Sequence, residues 1–297
     1  MLWNRRPFLD AGALRAGVLR LGLPRGGLAA LHSSLGSLGW VEGGERAVLD
    51  AFLEALGPSG TLLAPTFTHC FAPGPQALPC SQGAFDARRT PSAVGRVSEA
   101  LRRLPGAVRS FHPVHSAAAV GPLAADLARG HERSSDFGPE TPFRRLIAWG
   151  GTIVLLGVGQ WANSALHAVE DMLGMPYLRA AKAWTASPVT GLPEPFVCRK
   201  CPVGDRDFYN RGGSKWDAAI HAAGAVRRAR VGRAEAQVME AGPWAEAAAG
   251  LLERQPALLL CDRPQCVFCV WAKGRLSKAG LGGAPGLWRK GAGRGLP

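Results

Sequence analysis

The residues with the most chemistry to offer lie between Gly157 and Asp171. A short apolar run over residues 153–156 leads into the turn Gly157-Val158-Gly159, and Asn163 is an N-cap type of residue for the segment Ser164-Ala165-Leu166-His167-Ala168-Val169-Glu170. Leu166, Val169 and Leu173 share one face of that predicted helix, while His167, Glu170 and Asp171, at i, i+3 and i+4, share another. An imidazole beside carboxylates just past the carboxyl end of a strand is the makings of a general base. The carboxylate fixes the ring tautomer and raises its basicity, and an imidazole of ordinary pKa about 6.5 takes up a proton near neutral pH. Spacing alone leaves a plainer alternative, in which His167 is a core or capping histidine and Glu170 a solvated helix charge.

Three further clusters carry potential ligands. His32-Ser33-Ser34-Leu35-Gly36-Ser37-Leu38-Gly39 follows an apolar run, and such a loop exposes backbone N–H groups that can hold phosphate. It lacks the Walker spacing and GxGxxG, so an ordinary Ser/Gly loop fits equally. Arg109-Ser110-Phe111-His112-Pro113-Val114-His115-Ser116 places two histidines three apart, but no third ligand is near in sequence, and a structural loop entering a strand is the plainer reading. Cys198, Cys201, Cys266 and Cys269 form two C-x-x-C pairs, the four thiolates that a structural tetrahedral zinc needs. Their separation exceeds a common zinc-ribbon spacing of about 15–20 residues. Reduced cysteines or a redox pair are the alternatives, Cys261 is a possible substitute ligand, and Cys70 and Cys80 read as ordinary thiols.

These groups need a scaffold. Residues 28–32, 61–67, 117–120 and 153–156 read as buried strands, residues 42–56 as a helix stopped by Gly57-Pro58, and Thr90-Pro91-Ser92 as the N-cap and first turn of a helix reaching Leu104. Strands alternating with helices make an α/β sheet. A chain of 297 residues, 47% hydrophobic, can bury a large core. The net charge of +13 implies an anionic partner: nucleic acid, an acidic surface or a phosphorylated cofactor. Six of the basic residues (Lys273, Arg275, Lys278, Arg289, Lys290 and Arg294) fall in 273–297, a Gly-rich tail without acidic residues that reads as mobile. Seven cysteines, an odd number, favour a reducing compartment. Arg15, Arg20 and Arg25 interrupt the N-terminal apolar stretch, so no signal peptide is expected. The uncharged run 146–166 is broken by glycines and polar residues and reads as turn, strand, loop and helix start, not a membrane span. The expected location is the cytoplasm. The expected organisation is one domain over 1–272, with 188–215 and 257–272 forming a Cys-rich subregion, and a tail over 273–297.

The chain resembles the aminoglycoside 3-N-acetyltransferases. The resemblance is carried, in order, by His32-Ser33-Ser34-Leu35 with Leu38-Gly39-Trp40; by the run from Gly60 to Thr68; and by Phe85-Asp86, Thr90-Pro91-Ser92 and Gly95. It continues through Arg109 to Ser116, Leu155-Leu156-Gly157-Val158-Gly159, and Asn163 to Glu170. It is strong over residues 25–178 and weaker over 216–272. It implies an α/β domain with a central mixed sheet flanked by helices and a small appended Cys-containing region. It implies acetyl-CoA as co-substrate and an aminoglycoside as acceptor, with His167 as catalytic base and Glu170 as its partner. Ser33, Ser34, Leu35, Thr66, Thr90 and Ser92 correspond to the CoA groove.

A polycationic acceptor on a basic chain requires local acidity. Asp171, Asp205 and Asp207 are the candidates, because Gly204-Asp205-Arg206-Asp207 lies where members of the family carry an acidic stretch; a solvated turn is the alternative there. Members acting on apramycin-like substrates carry similar C-terminal cysteines, which supports a structural zinc. No nucleophilic Ser or Cys is required, so direct transfer is expected. The competing reading within enzymes is a CoA-dependent N-acyltransferase for another amine. A zinc-bearing nucleic-acid-binding protein is a remote one, because the basic residues form no patch interleaved with aromatics. Neither nucleic acid nor membrane is expected as a partner, and the oligomeric state is left open.

Overall fold

Four apolar runs become the centre of one sheet. The computed structural model describes residues 8–68, 84–187, 189–201 and 214–281. The first half contains β1 (Phe8–Leu9), α1 (Ala11–Leu19), β2 (Leu28–Ser33), α2 (Leu35–Leu38), β3 (Trp40–Val41), α3 (Gly44–Leu56), β4 (Thr61–Pro65), α4 (Arg96–Arg102), β5 (Val108–Arg109), β6 (Ala117–Val120), α5 (Ala124–Ala128) and α6 (Pro142–Ala148). The second contains β7 (Thr152–Leu156), α7 (Ala165–Met172), β8 (Arg179–Ala186), β9 (Pro193–Cys201), α8 (Lys215–Ala222), β10 (Arg227–Val231), β11 (Ala234–Glu240), α9 (Ala241–Arg254) and α10 (Val267–Lys278). Seven strands form a mixed sheet in the order β10-β11-β7-β2-β4-β6-β5. β2 runs parallel to β4 and β7, and the strands outside them pair antiparallel. This is the mixed α/β architecture expected from sequence.

Alternate residues of each strand leave on opposite faces. Ala29, Leu31, Leu62, Ala64, Val154 and Leu156 pack with Leu14 of α1, Val48 and Phe52 of α3 and Leu101 of α4. Leu28, Ala30, Leu63, Ile153 and Leu155 pack with Phe143 of α6, Leu166 and Val169 of α7, Trp216 of α8 and Trp244 of α9. Each fully buried side chain of this size stabilises the fold by about 1.5–3 kcal/mol. The same alternation turns His32, two residues past Ala30, to the second face, where its ring centroid lies 5.7 Å from that of Phe143. The run 146–166 resolves into the end of α6, β7, a loop and the start of α7. Among the described residues no helix is long and apolar enough to cross a membrane.

Three expected boundaries move. α4 starts at Arg96, after Gly95 at φ +118°, and not at Thr90. The Thr90 hydroxyl instead accepts the Asp86 N–H at 2.8 Å, and Glu99 reaches back to the Ser92 N–H at 2.8 Å. These local side-chain bonds hold residues 86–92 in turns that compete with a helix. The hairpin of the appended region spans β8 and β9, so it begins before residue 188. At the other end α10 carries Lys273, Arg275 and Lys278, and Leu276 is buried, so the basic segment is helical as far as Lys278.

Candidate active site

The parallel strands β2, β4 and β7 end on one side of the sheet. Ser33 and Pro65 at strand ends and Val158 just past β7 line one cleft of about 400 Å³ together with His32, His115 and His167. The carboxyl edge of parallel strands is where open α/β sheets hold ligands.

His167 is fixed by a chain of local bonds. Gly157 sits at φ +68°, and a Cβ there would lie 2.6 Å from Ser37 Cβ, so the turn after β7 requires glycine. Asn163 Oδ1 then accepts the Ala165 N–H at 3.2 Å in a local turn that leads into α7, whose N-cap is Ser164 and not, as expected, Asn163. One turn along, His167 Nδ1 donates to Glu170 Oε2 at 2.7 Å, and Tyr177 donates its hydroxyl proton to Glu170 Oε1 at 2.9 Å. Glu170 is 0% exposed and His167 6%, so Glu170 is not a solvated helix charge. The acceptor on Nδ1 sets the tautomer with the lone pair on Nε2, the form a general base needs.

His32 enters the site by a route that sequence reasoning missed. Its Nε2 accepts the Ser164 N–H at 3.2 Å and lies 3.1 Å from Ser164 Oγ, tying the end of β2 to the start of α7. The proton is therefore on Nδ1, which is buried without a hydrogen-bond partner. Burial pushes its pKa down to about 3, so the ring is neutral at pH 7.

The two histidines of the 109–116 segment do find a third group. His115 Nδ1 lies 2.8 Å from Asp136 Oδ2, and His112 Nε2 lies 3.4 Å from Asp136 Oδ1. Burial would raise the Asp136 carboxyl, but the His112 and His115 rings that face it outweigh this and hold it well below the carboxylate range. The 2.8 Å contact is that of a hydrogen bond, so the cluster is built as a proton-sharing network around a carboxylate.

The other expected residues scatter. Ser33 lines the cleft, while Ser34 and Leu35 follow it into α2. Thr66 and Thr90 are buried and bonded to Arg109, whose guanidinium donates to the Thr66 carbonyl at 2.6 Å and the Thr90 carbonyl at 2.5 Å. Ser92 is held by Glu99. These three support the neighbouring loop and do not line the cleft. Asp171 also stays off the lining: it accepts from Ser135 Oγ at 2.8 Å and pairs with Lys200 Nζ at 3.4 Å. Asp205, Asp207 and the Cys201 side chain lie outside the described residues.

The cysteine grouping is corrected. Cys266 and Cys269 meet Cys261, with the three Sγ atoms within 4.8 Å of one another. Cys266 is the N-cap of α10, Cys269 lies in its first turn, and the Cys261 N–H donates to Cys269 Sγ at 3.3 Å. Cys198 is not in this group. It sits on β9 in a separate apolar cluster with Val114 and Ala183, where burial raises its thiol pKa, so it packs as a small hydrophobe.

Residues 31–253 match the family model described as aminoglycoside 3-N-acetyltransferase. The chain is 32% identical over 241 residues to aminoglycoside N(3)-acetyltransferase IX of Micromonospora chalcea, covering 75% of this chain and 86% of that protein. The crystal structure of aminoglycoside acetyltransferase AAC(3)-IVa as the apoenzyme superposes with a TM-score of 0.75 at 26% identity, over 92% of this chain and 99% of that one. A structure of AAC-VIa with bound sisomicin gives 0.71 at 26% identity, over 83% and 98%. The fold, the order of the motifs and these matches agree, and the chain belongs to the aminoglycoside 3-N-acetyltransferase family.

Proposed function

We propose that this acetyltransferase moves the acetyl group of acetyl-CoA directly onto the 3-amino group of an aminoglycoside, with His167 as general base. The observation that carries this reading is the buried His167–Glu170–Tyr177 chain opening on the cleft at the strand ends. An amine that is protonated at pH 7 has no lone pair with which to attack. His167 Nε2 takes one proton from the ammonium, the amine nitrogen attacks the thioester carbonyl, and the tetrahedral intermediate gives up the nitrogen's second surplus proton as it expels the CoA thiolate, which takes that proton up. Glu170 keeps the Nδ1 proton in place and stabilises the imidazolium that forms. The overall +13 charge suits the phosphates of CoA. The test is thiol release from acetyl-CoA with a broad acceptor panel. Release is expected only with aminoglycosides that have a free 3-amine. Turnover of a simple arylamine with none of the aminoglycosides would make the chain an acyltransferase for another amine.

A structural zinc belongs to the same reading, with a revised ligand set. Cys261, Cys266 and Cys269 offer three buried thiols at mutual distances within 4.8 Å, a soft donor set that suits zinc. Bound there, the metal would pin the start of α10 to the segment before it. The freshly purified protein should contain about one zinc per chain, and chelation or Cys266→Ser should lower its melting temperature more than its turnover. Elemental analysis without metal removes the site.

A further inference from the structure

A second imidazole reaches the cleft with its own buried carboxylate. His115 lines the cleft and donates from Nδ1 to Asp136, whose side chain is 0% exposed. The neighbours of Asp136 are already committed. His112 Nδ1 accepts the His115 backbone N–H at 2.9 Å, which leaves its proton on Nε2, facing Asp136. His131 donates from Nε2 to the Asp136 main-chain oxygen at 3.0 Å and meets Ser110 Oγ through Nδ1 at 2.9 Å. Burial lowers the pKa of His131 well below the ordinary value and outweighs Asp136 in lowering that of His115. The bond from Nδ1 to Asp136 leaves Nε2 of His115 for a ligand, as an acceptor. Phe137 packs against both imidazoles of the cleft, with centroids 5.1 Å from His115 and 5.0 Å from His167.

Acetyl transfer needs one base, and His167 supplies it. A second neutral imidazole with a negative charge behind it is suited to accept a hydrogen bond from an ammonium or a hydroxyl. The cleft of this basic chain has to attract a polyamine, yet Asp171 is already paired with Lys200. Among the described residues, Glu170 and Asp136 are carboxylates behind the cleft, both 0% exposed and each covered by a histidine, in a low-dielectric setting that strengthens their field. We propose that His115, held by Asp136, binds a second amino or hydroxyl group of the acceptor beside the one that is acetylated, and so selects and orients the acceptor. This rests on the assignment of acetyl transfer to His167.

The test is a KM split in His115→Phe, which keeps the ring volume and removes the nitrogens. Its acceptor KM should rise about tenfold, the range for one lost hydrogen bond to a polar ligand group, with the acetyl-CoA KM within about twofold of wild type. His115→Gln, which restores an acceptor oxygen, should recover part of the loss, and Asp136→Asn should also weaken the acceptor. In the unmutated protein, the His115 Nε2 signal in an imidazole 1H–15N spectrum should shift on adding a non-reactive aminoglycoside and stay still with CoA alone. That measurement decides the matter even if a variant fails to fold. An unshifted Nε2, or an unchanged acceptor KM in folded His115→Phe while the unmutated enzyme turns over, overturns this role and leaves the transfer reading intact. Absence of turnover with every aminoglycoside in the unmutated enzyme overturns both.

Discussion

Glu170→Gln separates the carboxylate's charge from its shape. Glu170 accepts two protons, from His167 Nδ1 at 2.7 Å and from Tyr177 at 2.9 Å, and no water reaches it at 0% exposure. Glutamine has one oxygen. If that oxygen faces His167, the tautomer survives, the amide NH₂ meets a Tyr177 hydroxyl that must turn to accept, and what is lost is charge. Hydrogen bonds to charged groups contribute about 1.5–3 kcal/mol and neutral ones about 0.5–1.5, a difference of about 1–2 kcal/mol. At about 1.4 kcal/mol per factor of ten, kcat falls about 5- to 30-fold. If the NH₂ faces His167 instead, Nδ1 must accept, the ring proton moves to Nε2, and the base is lost, at a cost of about 100-fold or more. Either way the acetyl-CoA KM should stay within about twofold, and the acid limb of the pH–rate profile should move to lower pH because the imidazolium has lost its counter-charge. The assay is steady-state thiol release at saturating substrates across pH, with folding checked by circular dichroism. A kcat within twofold of the unmutated enzyme would refute the reasoning.

Acid should weaken the fold early. The pKa of His32 is about 3 when folded and about 6.5 when unfolded, so its contribution to stability is whole above pH 6.5 and is lost as pH falls toward 3. At pH 5 that loss is about 2 kcal/mol, and the lowered His131 adds in the same direction. Urea midpoints at pH 7.5 and pH 5 read it, and equal midpoints would contradict it. Arg109→Leu should destabilise the fold by about 2 kcal/mol, since it takes the guanidinium donor from the Thr90 carbonyl and leaves the Thr66 carbonyl with Ser116 Oγ alone. Calorimetry would show a melting temperature several degrees lower, and an unchanged one would mean that these bonds are replaceable.

What was legible in the sequence follows from how local each cause is. The strands over 117–120 and 153–156 carry their own apolar runs, and α7 carries its own apolar face, so spacing placed His167 and Glu170 on one helix face and the structure closes their bond. Thr90-Pro91 has the composition of a helix start, but its hydroxyl is taken by Asp86 four residues earlier, a competition that residue type alone does not resolve. Asp136 lies 21 residues from His115 and meets it only through tertiary packing. The C-x-x-C pairing misled for the same reason. Cys198 belongs to a hairpin that packs its thiol on Val114 and Ala183, whereas Cys261 is brought to Cys266 and Cys269 by the bend before α10. Tyr177 carried no signal, since α7 ends at Met172 and the hydroxyl returns to Glu170 through the turn that follows, not along a helix face.

His167 is the proposed base, and the most direct measurement of its role is kcat for acetyl transfer to an aminoglycoside in His167→Ala beside the unmutated enzyme. With the base removed and the CoA contacts left in place, kcat should fall by at least about 100-fold, while the affinity for CoA, read by calorimetry, stays unchanged. The double variant with Glu170→Gln should be little worse than His167→Ala alone, because the two act as one unit. A folded His167→Ala enzyme that turns over at a near-normal rate would show that the His167–Glu170 pair only supports the fold.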